Sequence, residues 1–390
     1  MEHHHRLGLA AAAGALAAGI ATYAYVSYGG GRSRRSRQRA TGDVVMGFPG
    51  LIGNTPMVEI RSLSAATGCR ILAKAEFLNP GGSTKDRIAR EMVEEAEAAG
   101  KLCPGGTIVE GTSGSTGISL AFMAKARGYR CVIVMPDDVA AEKAQVLRES
   151  GAEVREVRPA SIVNGGHYCN VAAALAEQTD GAFFADQFET PANFNAHYLR
   201  TGPEIWEQTD GGKLDAFVMS AGTGGTIAGV SCFLKERLGD EGVRVFLADP
   251  PGSSLYHSVL DGVCYAPEQA ERRVRRHRYD TIAEGIGLDR LTANFKRARI
   301  DDAFRVTDRE AVEMAHYLLR EEGLFVGSSS AVNLVATVRA ARKMGKKGAT
   351  LVTVLCDSGQ RHLTKFWNPS FLEKWRLTPR AKGLEFLDGL

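Results

Sequence analysis

A lysine stands where a helix should begin, behind two glycines, in residues 78–92, LNPGGSTKDRIAREM. An Asn-Pro-Gly-Gly turn precedes an amphipathic helical pattern, so Lys85 is expected in the first helical turn. A cation is disfavoured there, because the helix N-terminus carries a partial positive charge. That field and partial burial both lower the pKa of an amine and leave it more nucleophilic. The placement therefore favours a reactive lysine over a surface one.

Residues 221–230, AGTGGTIAGV, form a second unusual turn, in which small and hydroxyl residues separate an apolar run from a helical pattern. Backbone N–H groups in such a turn and the positive end of the helix converge on an anion, as in phosphate sites. The residues of this phosphate turn are Gly222, Thr223, Gly224, Gly225 and Thr226. They match neither the nucleoside-triphosphate motif nor the dinucleotide motif. A glycine-rich turn needed only for packing is the alternative.

A third turn, residues 113–117, SGSTG, also carries hydroxyls at a helix start and would suit a carboxylate. Serine and threonine cap helices routinely, so capping explains this turn, and residues 328–333, SSSAVN, equally well. A phosphate cradle, a carboxylate cradle and an amine at a positive helix end are together what pyridoxal phosphate and an amino acid require. The residues alone are therefore compatible with a pyridoxal-phosphate enzyme that uses Lys85 to form a Schiff base.

Short apolar runs alternate with helical patterns from about residue 44 onward. Runs of consecutive apolar residues indicate strands that are buried on both faces. These runs are residues 69–77, 107–112, 130–136, 214–220, 243–249 and 349–355. Strands separated by helices predict βαβ units and parallel sheets covered on both faces. Ligands of such sheets bind beyond the carboxyl ends of the strands, which is where the glycine and hydroxyl turns lie.

Composition bounds the class of protein. The chain has 390 residues, enough for about two domains, and its hydrophobic and charged fractions of 44% and 24% are those of a globular protein. A net charge of +3 gives no argument for a nucleic-acid partner. The seven cysteines show no C-x-x-C spacing, which argues against a disulfide framework or a metal site and for a reducing compartment.

The N-terminal segment differs from the rest of the chain. Residues 7–28 contain no charged side chain, and as a helix they would extend about 33 Å, close to the thickness of a bilayer core. Five arginines follow in residues 29–39, so the positive-inside rule keeps the C-terminal side in the cytosol. We expect a membrane anchor and basic linker over residues 1–40. A cleaved targeting peptide and a non-functional apolar tail are the alternatives.

Five motifs occur in the order seen in the cysteine synthase/cystathionine β-synthase family of pyridoxal-phosphate enzymes, which this chain resembles over about residues 47–360. The motifs are NPGGSTKDR, EGTSGSTGISLA, SAGTGGTIAGV, AEGIG and GSSSAVN. The resemblance implies an α/β protein of fold-type II, like the tryptophan synthase β-subunit, with two three-layer subdomains and mostly parallel sheets. The expected ranges are a catalytic region of 41–370, with a smaller subdomain of about 79–190 and a larger one of 41–78 plus 191–370, and a C-terminal tail of 371–390.

The resemblance also implies roles for individual residues. Lys85 resembles the Schiff-base lysine that later transfers the proton, and the phosphate turn resembles the family's phosphate loop. Ser329 resembles the serine that binds the pyridine nitrogen, and Gly285 lies in a loop, Glu284–Gly287, like the one that lines the cavity mouth. The residues that look like the substrate-carboxylate site are Thr112, Ser113, Ser115, Thr116 and Gln187, of which Ser115 would also contact the cofactor.

The reaction implied by the resemblance is the replacement of the β-substituent of an activated serine by sulfide, through an aminoacrylate intermediate, to give L-cysteine. The family usually has asparagine where this chain has Ser115, and serine is shorter and offers a single donor. A cysteine desulfhydrase or other β-elimination activity, or a pyridoxal-phosphate-binding protein with decayed catalysis, is therefore the alternative. Residues 272–278 add five arginines, which form either a solvated loop or a feature near the cavity mouth.

Two expectations concern location and assembly. The apolar N-terminal segment with its basic flank resembles signal-anchored proteins of the mitochondrial outer membrane and membrane-anchored fungal members of the family. We therefore expect a single-pass protein of that membrane, with its catalytic region facing the cytosol. Relatives are commonly dimers, so we also expect a homodimer.

Overall fold

Two β-sheets, of six and four strands, organise the part of the chain that the computed structural model describes, residues 44–267 and 281–387. The predicted membrane segment and the arginine-rich residues 272–278 lie outside the described residues. Among the described residues, no helix is long and apolar enough to span a bilayer.

The six-stranded sheet has the order β1-β2-β10-β7-β8-β9. Its first pair, β1 and β2, is antiparallel, and its other neighbours are parallel. Its strands are β1 (Met57–Glu59), β2 (Arg70–Ala75), β7 (Ala216–Ser220), β8 (Arg244–Asp249), β9 (Asp302–Arg305) and β10 (Thr350–Leu355). This is the mostly parallel sheet that the buried apolar runs predict.

The four-stranded sheet has the order β5-β4-β3-β6, and all of its neighbours are parallel. Its strands are β3 (Thr107–Gly111), β4 (Arg130–Pro136), β5 (Glu153–Val157) and β6 (Ala182–Phe184). The two inner strands, β3 and β4, are the most deeply buried, whereas β5 at the edge is partly exposed.

Helices connect most of these strands. Those before β7 are α1 (Gly47–Leu51), α2 (Arg61–Thr67), α3 (Lys85–Ala98), α4 (Ser115–Arg127), α5 (Ala141–Glu149), α6 (Tyr168–Glu177), α7 (Pro191–Ala196) and α8 (Gly202–Gln208). A π-helix, His197–Thr201, joins α7 to α8. The later helices are α9 (Gly225–Leu238), α10 (Leu255–Leu260), α11 (Asp308–Glu322), α12 (Ser328–Met344) and α13 (Pro369–Lys374).

Each sheet is covered on both faces, because successive strand residues point to opposite sides. In β7, Val218 packs with residues of α11 and α12, whereas Phe217 and Met219 pack with residues of α9. In the four-stranded sheet, Ile133 packs with α3 and α4, and Val134 packs with α6. The expected three-layer α/β architecture with mostly parallel sheets is confirmed.

Strand β2 is shorter than its apolar run predicts. The pattern extends to Phe77, but the strand ends at Ala75 and a 3-10 turn, Glu76–Leu78, follows. Glu76 is fully buried, and its carboxylate accepts hydrogen bonds from Thr55 and Arg87. Turning the backbone out of the strand brings this carboxylate to its partners, which a pattern of apolar residues does not reveal.

Candidate active site

A cavity of about 210 Å³ lies where the turns after β3, β7 and β10 meet the first turn of α3. All but one of the site residues expected from the sequence line it. These are Lys85, Thr112, Ser113, Ser115, Thr116, Gln187, Gly222, Thr223, Gly224, Thr226, Gly285 and Ser329. The exception, Gly225, is packed beside the cavity, where a Cβ would collide with the side chain of Asn193.

Lys85 is the first residue of α3, as the sequence predicts. Burial lowers the pKa of its amine, and the opposing effects of Cys356 and Asp357 are smaller. Within residues 44–267 and 281–387, no protein group hydrogen-bonds this amine. The structure therefore holds a lysine at a positive helix end with little to stabilise its charged form, which suits a nucleophile.

A buried ionic cluster fixes the first turn of α3. Arg87 donates to both oxygens of Glu76, at 2.6 and 2.8 Å, and to both oxygens of Glu204, at 2.7 Å each. Lys74 of β2 also pairs with Glu204, at 2.7 Å. Paired charges and bidentate geometry make such a cluster tolerable in the interior. It ties α3 to β2 and to α8, and so sets the position of Lys85 two residues before Arg87.

The phosphate turn is built for close approach. A Cβ on Gly222 would collide with the carbonyl oxygen of Gly285, and a Cβ on Gly224 would lie 2.6 Å from the Cα of Phe295. Gly224 also has a φ of +86°, which favours glycine. The turn opens directly into α9, so the residues of the turn that line the cavity lie at the positive end of a helix, as a phosphate site requires.

Residues 113–117, which we call the hydroxyl turn, lead into α4 but do not cap this helix through a side chain. Gly114 is the N-cap residue and has a φ of +143°. Thr116 donates to Gln187 Oε1 at 2.6 Å, and Gln187 is buried. The Ser115 hydroxyl accepts from Arg361 Nη2 at 3.4 Å. Side-chain capping, the alternative explanation of this turn, is therefore wrong, and its three hydroxyl residues line the cavity.

The serines at the start of α12 also serve other purposes than capping. Ser328 accepts from the backbone N–H of Glu284 at 3.2 Å, and Ser330 accepts from that of Cys356 at 2.9 Å. These two bonds hold the neighbouring segments in place. Ser329, between them, lines the cavity.

Four charged residues lie on the cavity wall, and the sequence analysis named only one of them, Glu284, as part of the loop Glu284–Gly287. Lys143 of α5 pairs with Glu284, and the Nδ1 of His362 lies 3.5 Å from the same carboxylate. His362 Nε2 lies 2.9 Å from Asp357 Oδ2. We call this set the ionic chain. Of the three members that were missed, Lys143, Asp357 and His362, only Asp357 carried a usable signal, because it follows a buried strand at its carboxyl end.

The ionic chain is strongly polarised. Burial opposes protonation of His362, but Asp357 and Glu284 outweigh it and raise the pKa of the imidazole to about 9. Burial likewise opposes ionisation of Glu284, yet Lys143 and His362 hold the pKa of that carboxyl well below its usual range. At neutral pH, Glu284 and His362 are therefore both charged.

The donor set fits pyridoxal phosphate. Lys85 would attach its aldehyde, the phosphate turn would hold its phosphate, and Ser329 would meet its ring nitrogen. The close approach at Gly222 and the low pKa of Lys85 are the observations on which this fit depends. No acidic side chain is needed for these three contacts.

Comparisons with known proteins show which family this chain is similar to. Residues 48–357 match the family described as pyridoxal-phosphate dependent enzyme. Cysteine synthase 2 of Schizosaccharomyces pombe is 51% identical over 369 residues, which cover 92% of each chain. The "Putative mitochondrial cysteine synthase" of Saccharomyces cerevisiae is 50% identical and covers 82% of this chain and 84% of its own.

Two solved structures are also similar to this chain. O-ureido-L-serine synthase superposes with a TM-score of 0.72 at 33% identity, covering 83% of this chain and 95% of its own. The O-acetylserine dependent cystathionine beta-synthase of Helicobacter pylori superposes with a TM-score of 0.71 at 31% identity, covering 83% and 98%. Because sequence and structure agree over most of its length, the chain belongs to the cysteine synthase/cystathionine β-synthase family of pyridoxal-phosphate dependent enzymes.

Proposed function

We propose that this protein is a pyridoxal-phosphate dependent cysteine synthase that combines an activated serine, such as O-acetylserine, with sulfide. The observation that carries the proposal is the meeting of Lys85, the phosphate turn and the hydroxyl turn on one cavity. Relatives named cysteine synthase, at about half identity over most of the chain, support it.

The proposed roles follow from where the side chains lie. When bound, pyridoxal phosphate supplies an electron sink that stabilises the carbanion formed at the α-carbon of an amino acid. Lys85 would hold the cofactor covalently through its amine, and the same amine, when free and uncharged, would take the α-proton. Ser329 presents a neutral hydroxyl to the ring nitrogen, which does not enforce its protonation.

The substrate carboxylate is bound by the hydroxyl turn. The residues proposed to bind the carboxylate are Ser113, Ser115 and Thr116 of this turn, together with Thr112 and Gln187. The hydrogen bond from Thr116 to Gln187 fixes the orientation of both side chains before substrate arrives. Gly285, in the loop that packs on Gly222, lines the cavity, which supports the proposal that this loop forms its mouth.

A β-elimination such as cysteine desulfhydration is the second candidate. The observation that favours this second candidate is the side chain of Ser115. Its hydroxyl already accepts a hydrogen bond from Arg361, and it lacks the donor and acceptor pair that an asparagine amide would offer the substrate. Weaker retention of the substrate would favour release of the eliminated product over addition of sulfide.

The deciding experiment assays purified full-length protein with O-acetylserine, O-phosphoserine, serine and cysteine, each with and without sulfide. The proposal expects cysteine formation from an activated serine plus sulfide as the fastest reaction. Sulfide release from cysteine as the fastest reaction would support the second candidate. Lys85→Ala should abolish both reactions and the covalent retention of cofactor after borohydride reduction. Lys143→Met, which changes the other lysine on the cavity wall, should keep that retention.

We also propose that residues 1–40 anchor the protein in the mitochondrial outer membrane, with the catalytic region in the cytosol. The apolar segment of residues 7–28, the arginines after it and the word mitochondrial in the yeast relative's name support this. Full-length protein should resist alkaline extraction from mitochondria and be digested by external protease, whereas protein lacking residues 1–40 should be extracted. Extraction of the full-length protein would contradict the anchor.

Assembly and domain boundaries are proposals of the same kind. The four-stranded sheet uses strands between Thr107 and Phe184, which supports a smaller subdomain of about 79–190 and a larger one of 41–78 plus 191–370.

A homodimer is proposed because members of the family are commonly dimers. Analytical ultracentrifugation in detergent tests it, and a monomer at the concentrations of the assay would contradict it.

A further inference from the structure

A buried histidine connects the phosphate turn to the π-helix. His197 is the first residue of that helix and has no exposed surface. Its Nε2 lies 3.1 Å from Thr226 Oγ1, and its Nδ1 lies 2.9 Å from Thr201 Oγ1. Thr226 lines the cavity within the phosphate turn. The two ring nitrogens thus join a hydroxyl of the cavity wall to a hydroxyl in the interior.

The contact between the π-helix and α9 is unusually close. A Cβ on Gly229 of α9 would lie 2.7 Å from the Cβ of His197 and 2.6 Å from the carbonyl oxygen of Phe194. Only glycine permits this approach, which brings the imidazole within reach of Thr226. π-Helical turns inside helices are frequently found at functional sites, because the extra residue redirects side chains.

The imidazole of His197 is neutral. Burial, followed by the charge of Arg87, lowers its pKa to about 3, and Lys85 adds to this. Glu76 and Glu204 oppose the shift, but they are already paired with Arg87. A neutral imidazole has one N–H donor and one acceptor nitrogen. His197 therefore donates one of its two hydrogen bonds, to Thr226 or to Thr201, and accepts the other.

The ligand of the phosphate turn determines which of these two hydrogen bonds His197 donates. A hydroxyl hydrogen bond to a charged phosphate is stronger than one to a neutral ring nitrogen. With a phosphate in the turn, Thr226 would therefore donate its proton to the phosphate, and its oxygen would accept from Nε2–H of His197. Nδ1 is then the acceptor, and the hydroxyl of Thr201 donates to it.

We propose that His197 is a positioning residue for the cofactor phosphate, which orients the hydroxyl of Thr226 through Nε2–H while Thr201 fixes the tautomer. This inference rests on the proposed function, because it takes pyridoxal phosphate as the ligand of the turn. His197 acts only through Thr226 and touches neither cofactor nor substrate.

Cofactor-free full-length protein tests the proposal by equilibrium dialysis against two probes, pyridoxal phosphate and pyridoxal. His197→Asn, which cannot reach Thr226, should weaken pyridoxal-phosphate binding about tenfold, because the hydroxyl of Thr226 is then no longer oriented for its own hydrogen bond to the charged phosphate. It should leave pyridoxal binding unchanged. His197→Gln, whose amide can still donate, should retain most of the affinity. Thr201→Val should behave like His197→Asn, and Thr201→Ser like the wild type.

A double variant separates positioning from general damage. His197→Asn combined with Thr226→Val should bind pyridoxal phosphate no more weakly than Thr226→Val alone, because both remove the same interaction. The phosphorus NMR signal of the bound cofactor should shift in each single variant. Additive losses of affinity in the double variant, or equal losses of affinity for pyridoxal phosphate and pyridoxal, would overturn the proposal. If His197→Asn does not fold, the same comparisons are made with Thr201→Val. Failure of the wild type to bind pyridoxal phosphate would instead overturn the proposed function.

Discussion

Lys74 and Lys85 show how a partner changes what a buried amine can do. Burial lowers the pKa of both. Lys74 is held by Glu204 at 2.7 Å, by the carbonyl oxygen of Thr55 at 2.9 Å and by Gln208 at 3.0 Å. Its ammonium is therefore fully hydrogen-bonded and serves structure. Lys85 faces the cavity without such partners among the described residues, so its amine is free to react.

Ser115 is the residue at which substrate preference should be most easily changed. Ser115→Ala removes a hydroxyl from the cavity wall and should raise KM for O-acetylserine about tenfold, the cost of one hydrogen bond to a carboxylate. Ser115→Asn restores an amide and should lower KM below that of the wild type. Steady-state kinetics measure both. The affinity for pyridoxal phosphate, held mainly by Lys85 and the phosphate turn, should change little. An unchanged KM in Ser115→Ala would show that its hydroxyl does not contact the substrate.

The site residues that could be predicted from sequence share a local signal. Lys85, Gly222 and Ser115 each lie at a turn before a helical pattern, where a few consecutive residues reveal the backbone and its free N–H groups. The ionic chain has no such signal. Lys143 and Glu284 are 141 residues apart, and the motif that contains Glu284 does not identify its partner. Their pairing depends on how the sheets bring distant segments together.

At the scale of elements, the first turn of α3 depends on the ionic cluster around Arg87. Arg87→Met would leave the carboxylates of Glu76 and Glu204 buried with one less cation. Removal of one partner from a buried ion pair costs about 3–5 kcal/mol. Urea unfolding should therefore show a loss of that size in the free energy of unfolding.

The exposed pair Arg155–Glu153 provides the matched control. Its atoms lie 2.7 Å apart, compared with 2.6 Å for Arg87 and Glu76, but both side chains are about half exposed. Arg155→Met should cost less than about 1 kcal/mol, because water screens the pair. Equal losses in the two variants would contradict the role assigned to burial.

The phosphate turn and the loop of residues 284–287 should also behave as one unit. Gly222→Ala forces its methyl group against the carbonyl oxygen of Gly285. Overpacking of this kind costs about 1–3 kcal/mol, so thermal unfolding should shift downward and pyridoxal-phosphate affinity should fall. Gly165→Ala is the control, since a Cβ there meets open space. Normal cofactor affinity in Gly222→Ala would show that the turn tolerates displacement.

At the scale of the whole molecule, the ionic chain links segments that are distant in sequence. It joins α5 to the loop of residues 284–287 and to the segment after β10. Two neighbouring contacts strengthen the link. Thr364 donates to Glu142 at 2.7 Å, and Lys365 donates to the carbonyl oxygen of Asp138 at 3.0 Å. The charge state of His362 therefore affects how firmly the segments around the cavity are held together.

The stability of the protein should fall at alkaline pH because His362 loses its proton. Its pKa is raised from 6.5 to about 9, since Asp357 and Glu284 face it, with Lys143 opposing them. The folded protein holds this proton more tightly than the unfolded chain, so the stabilisation is complete below about pH 6.5 and is lost as pH rises through about 9. Urea unfolding between pH 6 and 10 measures the decline.

His362→Gln should remove that part of the decline. Glu110, whose pKa burial raises to about 8, titrates in the same range in both proteins, so the difference between wild type and variant isolates His362. His257→Gln is the control, because His257 pairs with an exposed Asp261, where solvent screens the interaction. If wild type and His362→Gln lost stability in parallel from pH 6.5 to 9, the imidazole would not be the group that holds the ionic chain together. A smaller slope in His362→Gln alone would assign the alkaline limit of the fold to this buried histidine.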